Sequence, residues 1–202
     1  MADSTFNVAY ALPLSHALVG KAATFQHGLS LIEVLVALIV TVLGLLGVLG
    51  LQMRSQQSEY ESYQRAQALI LLSDMVNRVQ TNRLAARCYD LPGPVGAGES
   101  APVACSGWGT ASTRDRADAD LTEWHDLLRG TAEQVGADNV GAMVGARGCV
   151  TYDTASDTYT ATVVWQGKFA ISASASTCAQ NRYGNEALRR VVSQTFRLAT
   201  LN

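Results

Sequence analysis

A chain of 202 residues has room for one globular core and one special segment, and not comfortably for two domains. A formal charge of -2 and a pI near 5.9 exclude the clustered Lys and Arg that phosphate binding requires, so no nucleic acid is expected as a direct partner. The charged fraction of 16% averages one nearly charge-free segment with a remainder of ordinary soluble composition.

Residues 1–28 are mixed, carry Pro13 and a single lysine, Lys21, and end in the small residue Gly28 directly before an apolar run. In a secretory signal peptide the small-residue cleavage site follows the hydrophobic region, which is then lost. Here a cut at Gly28 would keep it. From Leu29 to Leu51 the only ionisable side chain is Glu33. At about 1.5 Å per residue this stretch spans roughly 34 Å as a helix, enough for a hydrocarbon core of about 30 Å. Gly44, Gly47 and Gly50 are spaced by three within it, which suits a close packing face, a stretch able to loosen, or simply the small-residue content of membrane helices.

Beyond Leu51 the composition turns polar, and no proline occurs until Pro92. Leu69, Leu72, Val76 and Val79 recur at helical spacing among Asp74, Asn77, Arg78 and Gln80, so one face of this second half is expected to be buried. Unbroken from Leu29 to about Arg87, the helix would be roughly 88 Å long, several times the globular mean. Leu91 to Gly109 then interrupts the pattern with Pro92, Pro94, Pro102 and several glycines, bracketed by Cys88 and Cys105. Ala119 to Arg129 places Leu121, Trp124 and Leu128 on one side of a short amphipathic helix.

The C-terminal third changes period. Cys149 to Tyr152 and Thr158 to Trp165 flank Asp153-Thr154-Ala155-Ser156-Asp157 and read as a β-hairpin, with Phe169 to Ala175 and Arg190 to Leu198 as further strand candidates. An antiparallel sheet packed on the long helix gives an α+β fold. The cysteines, Cys88, Cys105, Cys149 and Cys178, all follow the apolar run, and their even number suggests disulfides. Of the three pairings four cysteines permit, Cys88 with Cys105 and Cys149 with Cys178 are favoured because each closes one sequence-local unit. No pair has zinc-site spacing and the nearest histidine, His125, stands alone, so neither a metal nor any other cofactor is expected.

The segment His27-Gly28-Leu29-Ser30-Leu31-Ile32-Glu33-Val34-Leu35 resembles the class III signal sequence of type IV pilins and type II secretion pseudopilins. Those families share the glycine, an apolar residue after it, and a glutamate as the fifth residue of the mature chain. The resemblance implies the pilin fold and cleavage by a prepilin peptidase between Gly28 and Leu29, with N-methylation of Leu29. It further implies that Glu33 pairs with the terminal amine of a neighbouring subunit during assembly. An acidic side chain in an apolar helix costs about 2.5–3.5 kcal/mol at the membrane centre and less near its surface, so a retained Glu33 asks for such a partner. The competing reading is a plain single-pass anchor whose glutamate snorkels to the interface.

The opening Leu31-Ile32-Glu33-Val34-Leu35-Val36-Ala37 looks like that of PilV-like minor pilins and of the related GspI-like minor pseudopilins. Tyr159 to Gly167, Cys178 and Arg189 to Val192 are more similar to the PilV-like end. This implies a leader over 1–28, a membrane-spanning half-helix over 29–51, a periplasmic half over 52–87 and a globular head over 88–202. It also implies an inner-membrane subunit, later carried on a surface fibre, with other minor pilins and the major pilin as partners. A GspI-like role in secretion and an adhesive tip module are the alternatives. The leader is longer and less basic than usual in these families, as if translation began downstream of Met1, and the membrane-helix proline of many major pilins is missing.

An enzyme is not expected. His16, His27 and His125 form no recognisable catalytic pattern. Trp108, Trp124 and Trp165 suit a core more than a ligand pocket.

Overall fold

The computed structural model describes residues 28, 30–131, 134–136, 138–139 and 143–199; most of the expected leader, and Leu29, lie outside these. The chain divides into a compact unit ending at Leu49 and a second beginning at Gly50.

Helix α1 runs Leu31–Thr81 without a break, through Gly44, Gly47 and Gly50. It stops earlier than the expected Arg87. Asn82 leaves the helix and donates its side-chain amide to the Tyr89 hydroxyl at 3.2 Å and the Thr113 carbonyl at 2.7 Å. The chain then tightens into a 3₁₀ turn, Arg83–Tyr89, kinked at Ala85. Good helix propensity over Arg83 to Arg87 yields here to tertiary hydrogen bonds, the ordinary fate of a weak local preference.

Within the second unit α1 buries Gln64, Ala68, Leu72, Met75, Val76 and Val79. Leu69, expected on that face, is 47% exposed. The buried stripe packs into one core with Val150, Ala161, Val163, Trp165 and Val192 of the sheet, and with Ala117, Leu121, Trp124 and Leu128. The latter four belong to α2, Ala111–Leu128, which starts eight residues before the amphipathic stretch seen in the sequence. Its first turns are built from Ala, Ser, Thr, Arg and Asp, with little apolar periodicity to reveal them. What starts it is Thr110, whose hydroxyl accepts from the Thr113 backbone N–H, while the Thr113 hydroxyl accepts from Thr110 N–H at 2.9 Å.

The main sheet is antiparallel in the order β1-β4-β5-β6, with β1 at Val95–Gly96, β4 at Arg147–Asp153, β5 at Thr158–Gln166 and β6 at Arg189–Phe196. A separate small ribbon pairs β2, Gln134–Val135, with β3, Asp138–Asn139. The hairpin and the last strand fall where the sequence places them. Phe169 to Ala175 does not: it carries no ladder, and Ile171 N–H donating to Ala187 O is its one backbone bond to the sheet end. The fold is therefore α+β, with a long helix that begins apolar and then packs on an antiparallel sheet.

Alternation on β5 serves two layers. Ala161, Val163 and Trp165 join the main core, whereas Val164 joins Cys149, Cys178, Ala179 and Tyr183 in a smaller cluster on the opposite face. Cys178 reaches that cluster through its disulfide to Cys149, Cα to Cα 5.9 Å, and Cys88 is joined to Cys105 at 5.3 Å. This is the sequence-local pairing expected above. Gly148 in β4 is required by packing: a Cβ there would fall within the indole of Trp124, which is fully buried.

Candidate functional site

The motif that singles out this sequence lies at the beginning of α1. Gly28 and Ser30 are non-helical, and the Ser30 carbonyl accepts from the N–H groups of Glu33 at 3.0 Å and Val34 at 3.2 Å, which starts the helix. Glu33 therefore sits in the first turn, where an acidic group gains about 0.3–1 kcal/mol from the helix dipole. That is smaller than the penalty of about 2.5–3.5 kcal/mol for an acid deep in lipid, so the dipole alone does not keep a charged glutamate in an apolar layer. Among the described residues Glu33 makes no salt bridge.

From Leu31 to Gly50 every residue is exposed, among them Leu31, Ile32, Leu38, Val40 and Leu43. This first stretch of α1 is long and apolar enough to cross a membrane. A Cβ added at Gly44, Gly47 or Gly50 would meet nothing within 4 Å, so within this chain no packing demands these glycines. Leu29, the residue that would carry the new amine, is outside the described set, and Gly28 is exposed.

The head contains three features that sequence reading did not find. The first is an ionic cluster around Asp120, whose side chain is 5% exposed. It accepts from Arg78 at 3.0 Å, Arg116 at 3.1 Å and the Tyr89 hydroxyl at 2.6 Å. Arg78 also pairs with Asp74 and Glu123, each at 2.8 Å, and the hydrogen bond it donates to Glu123 leads the causes that hold its guanidinium above the usual range. Burial, then the bond to Asp120, pushes the Tyr89 phenol well above its ordinary value. These groups tie the end of α1, the 3₁₀ turn and α2 together. Bonded partners in it lie up to 45 positions apart, so no local pattern could have exposed them.

The second is Arg87, whose guanidinium lies 3.8 Å from the ring centre of Tyr152 and 5.3 Å from that of Trp108. Trp124 and Trp165 are buried as expected of core tryptophans, but Trp108 is 51% exposed and covers this cation instead.

The third is His125. It is buried, and its Nδ1 accepts from Gly96 N–H at 3.0 Å, which requires the neutral ring with its proton on Nε2. Burial lowers its pKa, with the nearby Arg129 acting in the same direction. A histidine held as a backbone acceptor in this way acts as a packing group. Because the folded form binds the proton more weakly than the unfolded one, the stability it contributes is present above the unfolded pKa of about 6.5 and is lost as pH falls below it. The thermal midpoint of the full chain in detergent should fall as pH is lowered from neutrality toward 5. In His125→Gln, whose amide oxygen keeps an acceptor without titrating, that decline should be shallower.

Among the described residues no group of three or more His, Cys, Asp or Glu is placed to hold a metal ion. Compared with known protein families, curated proteins and solved structures, the chain matches none.

Proposed function

We propose that this chain is the precursor of a PilV-like minor type IV pilin. The observation that carries the reading is the register of Gly28 and Glu33 at the head of an exposed, membrane-length apolar helix that continues into a disulfide-bonded α+β head. A plain anchor needs neither the glycine at that point nor a helix that runs on for some thirty residues past Leu51 to become part of a core.

On this reading prepilin peptidase removes residues 1–28 and methylates the amine of Leu29. The subunit waits in the inner membrane with its head in the periplasm. It then joins other minor pilins and the major pilin in priming a fibre that reaches the cell surface. Its work is noncovalent: the apolar half of α1 is handed from lipid to neighbouring helices, and the charge of Glu33 is neutralised by the amine of an adjoining subunit. Two opposite charges offset each other's desolvation only when the neighbour is in register, so the pair selects correct docking. Recovery of the shortened chain in fibres sheared from cells tests the proposal; a chain that stays wholly in the membrane fraction while fibres form contradicts it.

A further inference from the structure

We infer that the outer face of the main sheet carries a binding site for a neutral sugar chain. The site lies wholly within the unit that begins at Gly50, and it is independent of how α1 crosses a membrane or packs in a fibre. Strand β5 runs between β4 and β6, and its alternation sends Ala161 and Val163 into the main core and Thr160 and Thr162 to the opposite side. Thr160 stands across from Thr151 of β4 and Thr195 of β6, and Thr162 across from Cys149 and Ser193. The result is a field of hydroxyls about 4.8 Å apart from strand to strand.

Two walls turn this field into a cleft of about 750 Å³, within the range of ~300–1,000 Å³ usual for ligand pockets. One wall is Leu91 to Pro94, tied to β4 where the Leu91 N–H donates to the Val150 carbonyl at 2.9 Å. The other is the chain leading to Cys178, tied to β4 by the Cys149–Cys178 disulfide. Within it the Ser174 hydroxyl accepts from Ser176 N–H and the Ser176 hydroxyl from Cys178 N–H. The buried Arg189 donates to the carbonyls of Ser174 at 3.2 Å and Cys178 at 3.0 Å. Both walls are anchored from within the chain, so the cleft is formed before any ligand arrives.

The lining selects the ligand. Ser and Thr are its commonest residues, and among the described residues no charged side chain lines it, so an ion there would lose water without gaining a counter-charge. Thr162 is 5% exposed, and its hydroxyl has no hydrogen bond among the described residues. It is nevertheless not one of the enclosed unpartnered groups, which are Gln64 Oε1, Arg87 Nε and Trp165 Nε1, so its small exposure opens on the cleft. An apolar ligand would cover that hydroxyl and leave it unpaired, which is unfavourable. A peptide finds no ladder groups on this face, because the backbone of β5 is already paired on both sides. Sugar hydroxyls donate and accept at once, as those of Ser and Thr do, and the C–H face of a sugar ring suits Leu91, Pro92 and Pro94.

The test uses the full chain in phosphatidylcholine nanodiscs free of sugar-based detergent. Saturation-transfer NMR titrations use neutral trisaccharides of glucose, galactose, mannose and N-acetylglucosamine, with a sialylated trisaccharide as the charged probe. At least one neutral sugar should bind, and about tenfold more tightly than the sialylated one. Thr162→Val keeps the shape and removes the hydroxyl, and should weaken that binding about tenfold, the loss of roughly one hydrogen bond. Thr154→Val, in the exposed hairpin turn, should leave it unchanged. Should Thr162→Val shift the unfolding midpoint, Ser193→Ala on the neighbouring strand takes its place with the same loss expected. Binding by none of the neutral sugars overturns the inference. So does a variant of the cleft that titrates like the unaltered chain, an equal loss in Thr154→Val, or a sialylated probe that binds as tightly as the neutral ones.

Discussion

Glu33→Ala is expected to leave the chain inserted in the membrane and free of its leader, yet to reduce its recovery from sheared fibres by at least ~tenfold, a difference of about 1.4 kcal/mol. On the proposed reading, the acid of one subunit and the amine of the next would meet in an apolar layer of the fibre. Removing the acid leaves the amine unpaired there, and close charge pairs at interfaces couple by about 1.5–7 kcal/mol. In the membrane before assembly the substitution removes a polar group from lipid and costs nothing, so insertion is unaffected. Glu33→Gln, equal in size but uncharged, should fail as the alanine variant does. A glutamate that merely snorkels toward water predicts unchanged recovery for both variants, and that result would refute the pairing role. Quantitative blotting of membrane and fibre fractions reads all three chains.

The second large effect concerns the head alone. Asp120→Ala should lower stability by about 3 kcal/mol, read from the denaturant midpoint of the full chain in detergent by tryptophan fluorescence. Breaking a buried ion pair typically costs about 3–5 kcal/mol, and the lower end applies because Arg78 keeps Asp74 and Glu123. The Tyr89 hydroxyl, fully buried, loses its acceptor and retains only the donor contact from Asn82. Asp120→Asn keeps the shape and one acceptor, and should cost less than half as much. Should the alanine variant unfold at the wild-type midpoint, the cluster does not hold α1 to α2.

What was legible in the sequence was whatever is local. The apolar run, the hairpin around Asp153 to Asp157 and the two short-range disulfides each lie within one stretch of chain, so composition and spacing reveal them. The misreadings share a cause. Residues 83–87 have helical propensity, but Asn82 is claimed by Tyr89 and Thr113. Phe169, Ile171 and Ala173 alternate like a strand, but this segment has no neighbour to pair with along its length. Leu69 has the right spacing for the core, while Ala68 and Gln64 occupy the face that meets it. In the candidate site, Gly28 and Glu33 were visible because their spacing to the apolar run is itself the signal. The Asp120 cluster was invisible, since Arg78 and Asp120 become neighbours only through the fold.

The central claim is that this chain is a substrate for cleavage after Gly28, and the mass of its N-terminal peptide tests it most directly. Membrane-extracted protein from cells with prepilin peptidase should begin at a methylated Leu29, and protein from cells lacking the enzyme should retain the sequence before Gly28. An N-terminus that is the same in both strains would contradict the account.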